Sequence, residues 1–168
     1  ARLRAGRAIA ALALLLALGP VACSRDDGDA GHAPDGPGAD ASRVTSEGLT
    51  ISRARARVTI PGRTVTAGYF DLSNERETPA VLVAARSPRV GRIELHRTVA
   101  DGDRMRMEPM TSVEVPAGGS VAFEPGGRHL MLLDIEEPLL VDEFVPVELE
   151  FRDGRTLRTD FHVVPIGT

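Results

Sequence analysis

Arg53-Ala54-Arg55-Ala56-Arg57-Val58-Thr59-Ile60 alternates polar and apolar side chains without a break, and Pro61-Gly62 ends it. Successive side chains on a strand point to opposite faces, so this pattern predicts a half-buried β-strand with Ala54, Ala56, Val58 and Ile60 inward. Further short runs follow, each bounded by Gly, Pro or Asp. They predict strands over 64–72, 80–85, 92–96, 104–107, 112–115, 121–123, 129–135, 145–151 and 156–164. Many short strands at regular spacing suggest an antiparallel sandwich or barrel. No stretch carries a convincing amphipathic helical period, and no internal repeat is visible.

Outward from that block the chain changes character. Residues 24–48 are rich in Asp, Gly, Ala and Pro and nearly free of large apolar side chains. Such a segment cannot bury enough surface to offset its ordering entropy, so it reads as a flexible tether. His32 lies in it and reads as solvated. Residues 1–23 read as an export signal. Arg2, Arg4 and Arg7 precede an uninterrupted apolar run of 11 residues, Ala8 to Leu18. That run suits a signal segment and is too short to span a bilayer. Pro20-Val21-Ala22-Cys23 then resembles a lipobox, with Pro20 as its departure, so lipidation is expected at Cys23. The alternative is ordinary cleavage nearby. Residues 49–168 form the folded domain.

The chain has 168 residues and a formal net charge of −4, which suits one domain with appendages. Aromatics are only 4% and Trp is absent, so the core must be aliphatic. Every basic side chain is Arg, and mild negative charge gives no case for nucleic-acid binding. The single Cys23 excludes an internal disulfide. A blue-copper centre needs a thiolate beside its histidines, and a cysteine in a leader does not supply one. No Gly-x-Ser-x-Gly or His-Glu-x-x-His occurs, so the sequence does not read as an enzyme.

Four residues stand out as possible ligands. Ten residues separate His96 from Met107, twenty-one separate Met107 from His129, and Leu130 alone separates His129 from Met131. Two imidazoles and two uncharged thioethers suit cuprous ion and suit Zn(II), Mg(II) or Ca(II) poorly. His129 and Met131 are i and i+2 on a predicted strand, so both face one way. Pro125-Gly126-Gly127 sets that pair just after a turn, and Asp101-Gly102-Asp103 offers a turn between His96 and Met107. Glu94 should share the face of His96 and could contact its imidazole from behind. Met105 has the parity of Met107 and is a candidate auxiliary thioether. Met110 reads as packing, and His162 as structural or exposed. Taken singly, a strand Met is usually core filler and a His beside a turn is usually a surface group.

The pattern His-x10-Met-x21-His-x-Met resembles that of the periplasmic copper chaperones called PCuAC. Ala67-Gly68-Tyr69-Phe70-Asp71-Leu72-Ser73-Asn74, Pro116-Ala117-Gly118-Gly119 and Pro125-Gly126-Gly127 are similar to that family's early strand and Gly-containing turns. The resemblance runs from about Ile51 to about Val164. It implies a cupredoxin-like antiparallel β-sandwich. It implies one Cu(I) per chain, held by His96, Met107, His129 and Met131, and it is the resemblance alone that brings Met107 to the His129 pair. It further implies a monomer that delivers copper to a respiratory oxidase, at its binuclear copper centre, or to another copper chaperone. Location would be the periplasm or the outer face of the cytoplasmic membrane, through a lipid anchor. The competing expectation is a lipid-anchored β-sandwich that binds proteins and no metal.

Overall fold

The computed structural model describes residues 43–102 and 104–167. The export signal, Cys23, His32, most of the tether and Asp103 lie outside the described residues. Within them every regular element is a strand. In chain order these are β1 (Val44–Ser46), β2 (Leu49–Arg57), β3 (Thr66–Asn74), β4 (Ala80–Arg86), β5 (Arg92–Asp101) and β6 (Arg104–Met110). There follow β7 (Val113–Val115), β8 (Ser120–Phe123), β9 (Arg128–Leu133), β10 (Phe144–Phe151) and β11 (Thr156–Val164). The expected all-β class is borne out.

One hydrogen-bonded path joins the strands in the order β6-β5-β9-β8-β3-β2-β11-β10-β4-β7, with β1 on β2 and β9 also on β3. A single core fills the interior. It draws Leu95 from β5, Leu130 and Leu132 from β9, Leu82 from β4, and Val147 and Leu149 from β10. Phe70 stacks on Phe123 at 4.2 Å between ring centres and tilts against Phe161 at 5.7 Å. These three rings supply bulk that an otherwise aliphatic core lacks. Gly68 is needed beside them, because a Cβ there would stand 3.1 Å from both Leu132 and Phe161.

Three expectations need correction. The pairing is not wholly antiparallel: β11 runs parallel to β2, and β8 meets β9 in parallel at one position. Parallel neighbours need a long connection instead of a hairpin, and most of the domain lies between β2 and β11. The tether ends earlier than Gly48, because Val44–Ser46 pairs with Leu49–Ile51 through a tight turn at Glu47 and Gly48. Finally, the alternation of the opening block fails at its end. Arg53 takes a left-handed φ of 54° at a bulge, Ala54 and Ala56 are buried, but Ile60 is exposed and Thr59 is buried. Thr59 Oγ1 accepts from the Leu139 amide, which gives the buried hydroxyl a partner.

Candidate metal centre

Register decides which side chains meet. β5 lies between β6 and β9, antiparallel to both. His96 is directly opposite His129, and Glu94 is opposite Met131. Thr98 is opposite Met107, and Ala100 is opposite Met105. Opposed residues share a face, as do residues two apart on a strand. His96, His129, Met131, Met107, Met105 and Glu94 therefore all stand on one face of the β6-β5-β9 ribbon. Leu95 and Leu130 occupy the other face, in the core, and Met110 packs there with them. Met107 and Met131 are each diagonal to His96, a separation that long side chains can close. The four spaced residues are thus brought together on one surface.

The two imidazoles are close and held. Their ring centres are 5.9 Å apart. His96 Nε2 donates to Glu94 Oε2 at 2.9 Å, the contact anticipated from their i, i+2 spacing. His129 Nδ1 donates to the Gly127 carbonyl at 3.2 Å. That same carbonyl accepts from the Thr98 amide at 3.0 Å, tying β5 to the turn before β9. The turn is tight because Gly126 takes a φ of 80°, and Gly127 donates back to the Glu124 carbonyl. These partners settle the tautomers: a proton on Nε2 of His96 and on Nδ1 of His129. The remaining atoms, His96 Nδ1 and His129 Nε2, are buried and have no hydrogen-bond partner among the described residues. A buried nitrogen lone pair left unmatched costs free energy, and metal-binding histidines show this arrangement, with the far ring nitrogen held by carboxylate or carbonyl.

Electrostatics point the same way. Burial pushes the His129 imidazole below its ordinary pKa of 6.5, and the Gly127 contact only partly opposes this. His96 and Arg57 lower it further. Arg57 comes from a feature the sequence did not announce. Tyr69 shares the face, because Ala67 is opposite Met131 and Tyr69 is two residues on. The guanidinium carbons of Arg57 and Arg55 lie over its ring, 5.1 Å and 5.5 Å from the ring centre. The Arg-x-Arg spacing on β2 was the available signal, but only the β2–β3 register sets both over one ring.

The two kinds of donor differ in exposure. His129 is 3% exposed and the His96 side chain 13%. Met131 is half-buried, whereas Met107 and Met105 are 58% and 65% exposed. Among the described residues, no group of three or more His, Cys, Asp or Glu converges. The donors here are imidazole and thioether. His162 stands apart, paired with Asp142 at 3.3 Å and stacked on Phe144.

The family model described as "Putative lipoprotein LpqE-like" matches residues 49–163. The chain belongs to the LpqE-like family. A Leifsonia xyli relative named "Putative lipoprotein Lxx21020" is 31% identical over 112 residues. The match covers 66% of this chain and 66% of that relative, a little under two thirds of its length. Among solved structures, the copper-bound PCuAC domain from PmoF2 superposes with a TM-score of 0.64 at 20% identity, covering 73% of this chain and 97% of that one. The solution structure of CuI-DR1885 from Deinococcus radiodurans gives 0.52 at 33% identity, over 66% and 74%. The fold of this LpqE-like chain is therefore that of PCuAC domains, a cupredoxin-like β fold, and the PCuAC resemblance is borne out.

Proposed function

We propose that the chain is an extracytoplasmic Cu(I) chaperone, with His96, Met107, His129 and Met131 as ligands for one ion. The observation that carries this reading is the pair of buried, partnerless nitrogens, His96 Nδ1 and His129 Nε2, on the face that bears the thioethers. A soft, neutral set of this kind favours Cu(I) over harder ions. Copper-bound relatives of the same fold support it. All four ligands are uncharged, so the bound site keeps a net charge near +1 beside the Arg57 guanidinium. The histidines orient the ion, Glu94 and Gly127 orient the histidines, and the thioethers complete the soft donor set.

Delivery to a respiratory oxidase, at its binuclear copper centre, or to a second chaperone follows from the same reading. The copper is cargo, and neutral ligands at a rim release it by stepwise exchange. Residues 1–22 serve as the export signal and Cys23 as the lipid-bearing residue that follows it, a reading supported by the lipoprotein names of the family and its relative. The segment from Ser24 to the start of β1 serves as the tether.

Titration with Cu(I) against a competing chelator tests the central claim. Saturation at one equivalent is expected, with no displacement by equimolar Zn(II). Absence of Cu(I) saturation would leave a β-sandwich interaction module as the better reading. In cells, fatty-acid label should appear on the wild type and vanish in Cys23→Ala; an unlabelled wild type removes the anchor but not the copper site.

A further inference from the structure

β6 is the edge strand of the ladder, and its outer end carries a thioether that the four-ligand set does not use. Met105 sits two residues from Met107 with the same parity, so their Cα atoms are about 7 Å apart on one face. Its cross-strand partner is Ala100, exposed and too short to cover it. Met105 and Met107 are the two most exposed of the large hydrophobic side chains among the described residues. The other exposed ones, Ile60, Leu140, Val141, Phe144 and Ile166, lie on other segments of the chain. Met105 stands outside the core, so packing does not hold it in place. A flexible thioether one strand step beyond a candidate ligand has a chemical role open to it.

We infer that Met105 is an exchange ligand, outside the resting set, which takes Cu(I) as the ion leaves for its acceptor. This rests on the copper reading above. In the step, a lone pair on the Met105 sulfur forms a bond to Cu(I) while one imidazole–copper bond breaks. The ion stays Cu(I), no electron or proton moves, and the freed nitrogen keeps its lone pair. The second imidazole and Met131 then let go in turn, each keeping its lone pair, and Cu(I) is left on the thioethers of Met107 and Met105 at the sheet edge. There a thiolate or imidazole donor of an acceptor can reach it without entering the histidine pocket. Two exposed sulfurs thus convert a held ion into a presented one.

The experiment separates resting affinity from transfer rate. Wild type, Met105→Leu and Met107→Leu are loaded with one equivalent of Cu(I). Affinity is read by chelator competition at equilibrium, and release by stopped-flow transfer to bicinchoninate. Both substitutions fall on exposed side chains, so folding is not at stake. Met105→Leu should keep one equivalent and an affinity within about twofold of wild type. Its transfer should slow by about fivefold or more, because exchange pathways act on rates more than on equilibria. Met107→Leu should lose about tenfold in affinity. In half-loaded protein carrying 13C-methyl methionine, the Met105 methyl resonance should broaden. Equal transfer rates for wild type and Met105→Leu would overturn the inference and leave the copper site standing. An affinity loss matching that of Met107→Leu would also overturn it, making Met105 a resting ligand. A wild type that takes up no Cu(I) would sink the functional reading itself, and Met105 with it.

Discussion

The histidine half of the site and the methionine edge are built on opposite terms. His96 and His129 are shielded, each has one nitrogen pinned, and the other has no partner among the described residues. Met105 and Met107 stand on the outermost strand with more than half their surface in solvent. Burial with a fixed tautomer gives precise direction to a bond but leaves little room for exchange. Exposure on an unbranched side chain gives the reverse. In the proposed site, strength and lability would therefore fall to different strands, β9 with β5 for the first and β6 for the second. A site made wholly of either kind would hold its cargo too firmly or orient it too loosely.

The sharpest way to break this comparison is to remove the buried half. His129→Ala should lower Cu(I) affinity by more than about a hundredfold, beyond what outer contacts contribute. Chelator competition reads this, with circular dichroism to check that the domain remains folded. A loss no larger than that of Met107→Leu would show that burial confers no special strength. Next comes the contact behind His96. Glu94→Gln keeps a polar group near Nε2 but drops the negative charge, and affinity should fall by about tenfold. Affinity unchanged by this substitution would mean that the carboxylate serves only Arg92, its partner at 2.9 Å. The smallest effect belongs to the copper-free protein. Burial holds the folded His129 below 6.5, so the unfolded chain takes up that proton more readily. Stability from this residue is full above about 6.5 and declines as pH falls toward the lowered folded value. Thermal midpoints between about pH 7.5 and 5.5 should therefore fall in wild type and fall less in His129→Gln. Identical slopes would assign the pH dependence to other groups.

Much of this was legible in the sequence because period-two patterning and Gly or Pro breaks report directly on strands. The predicted runs at 80–85, 145–151 and 156–164 match β4, β10 and β11 to within one residue at either end. What escaped has identifiable causes. β1 is three residues long and sits in an otherwise unpatterned tract, so no window reveals it. β5 was expected to stop at His96 but runs to Asp101, because the β5–β6 arm extends past the core and its outer part has no buried face to pattern. The bulge at Arg53 and the reversal at Thr59 and Ile60 depend on neighbours distant in sequence. For the site, residue types and spacing were visible, and so was the parity that sets Glu94 beside His96. The burial of His129 and the identity of each free ring nitrogen were not. Both depend on the register of β5 with β9 and on a main-chain carbonyl that carries no side-chain signature.

That carbonyl has an evolutionary consequence. The Glu94 contact can be lost through one codon change, since it is made by a side chain. The Gly127 contact is made by an atom that every amino acid carries, so substitution there cannot delete the acceptor itself. A side chain at 127 would approach the Glu124 Cγ at 3.2 Å, a flexible neighbour able to give way. Natural drift should therefore reach the two histidines unequally. Lineages that abandon copper could lose the support of His96 early, while the orientation of His129 would outlast its use.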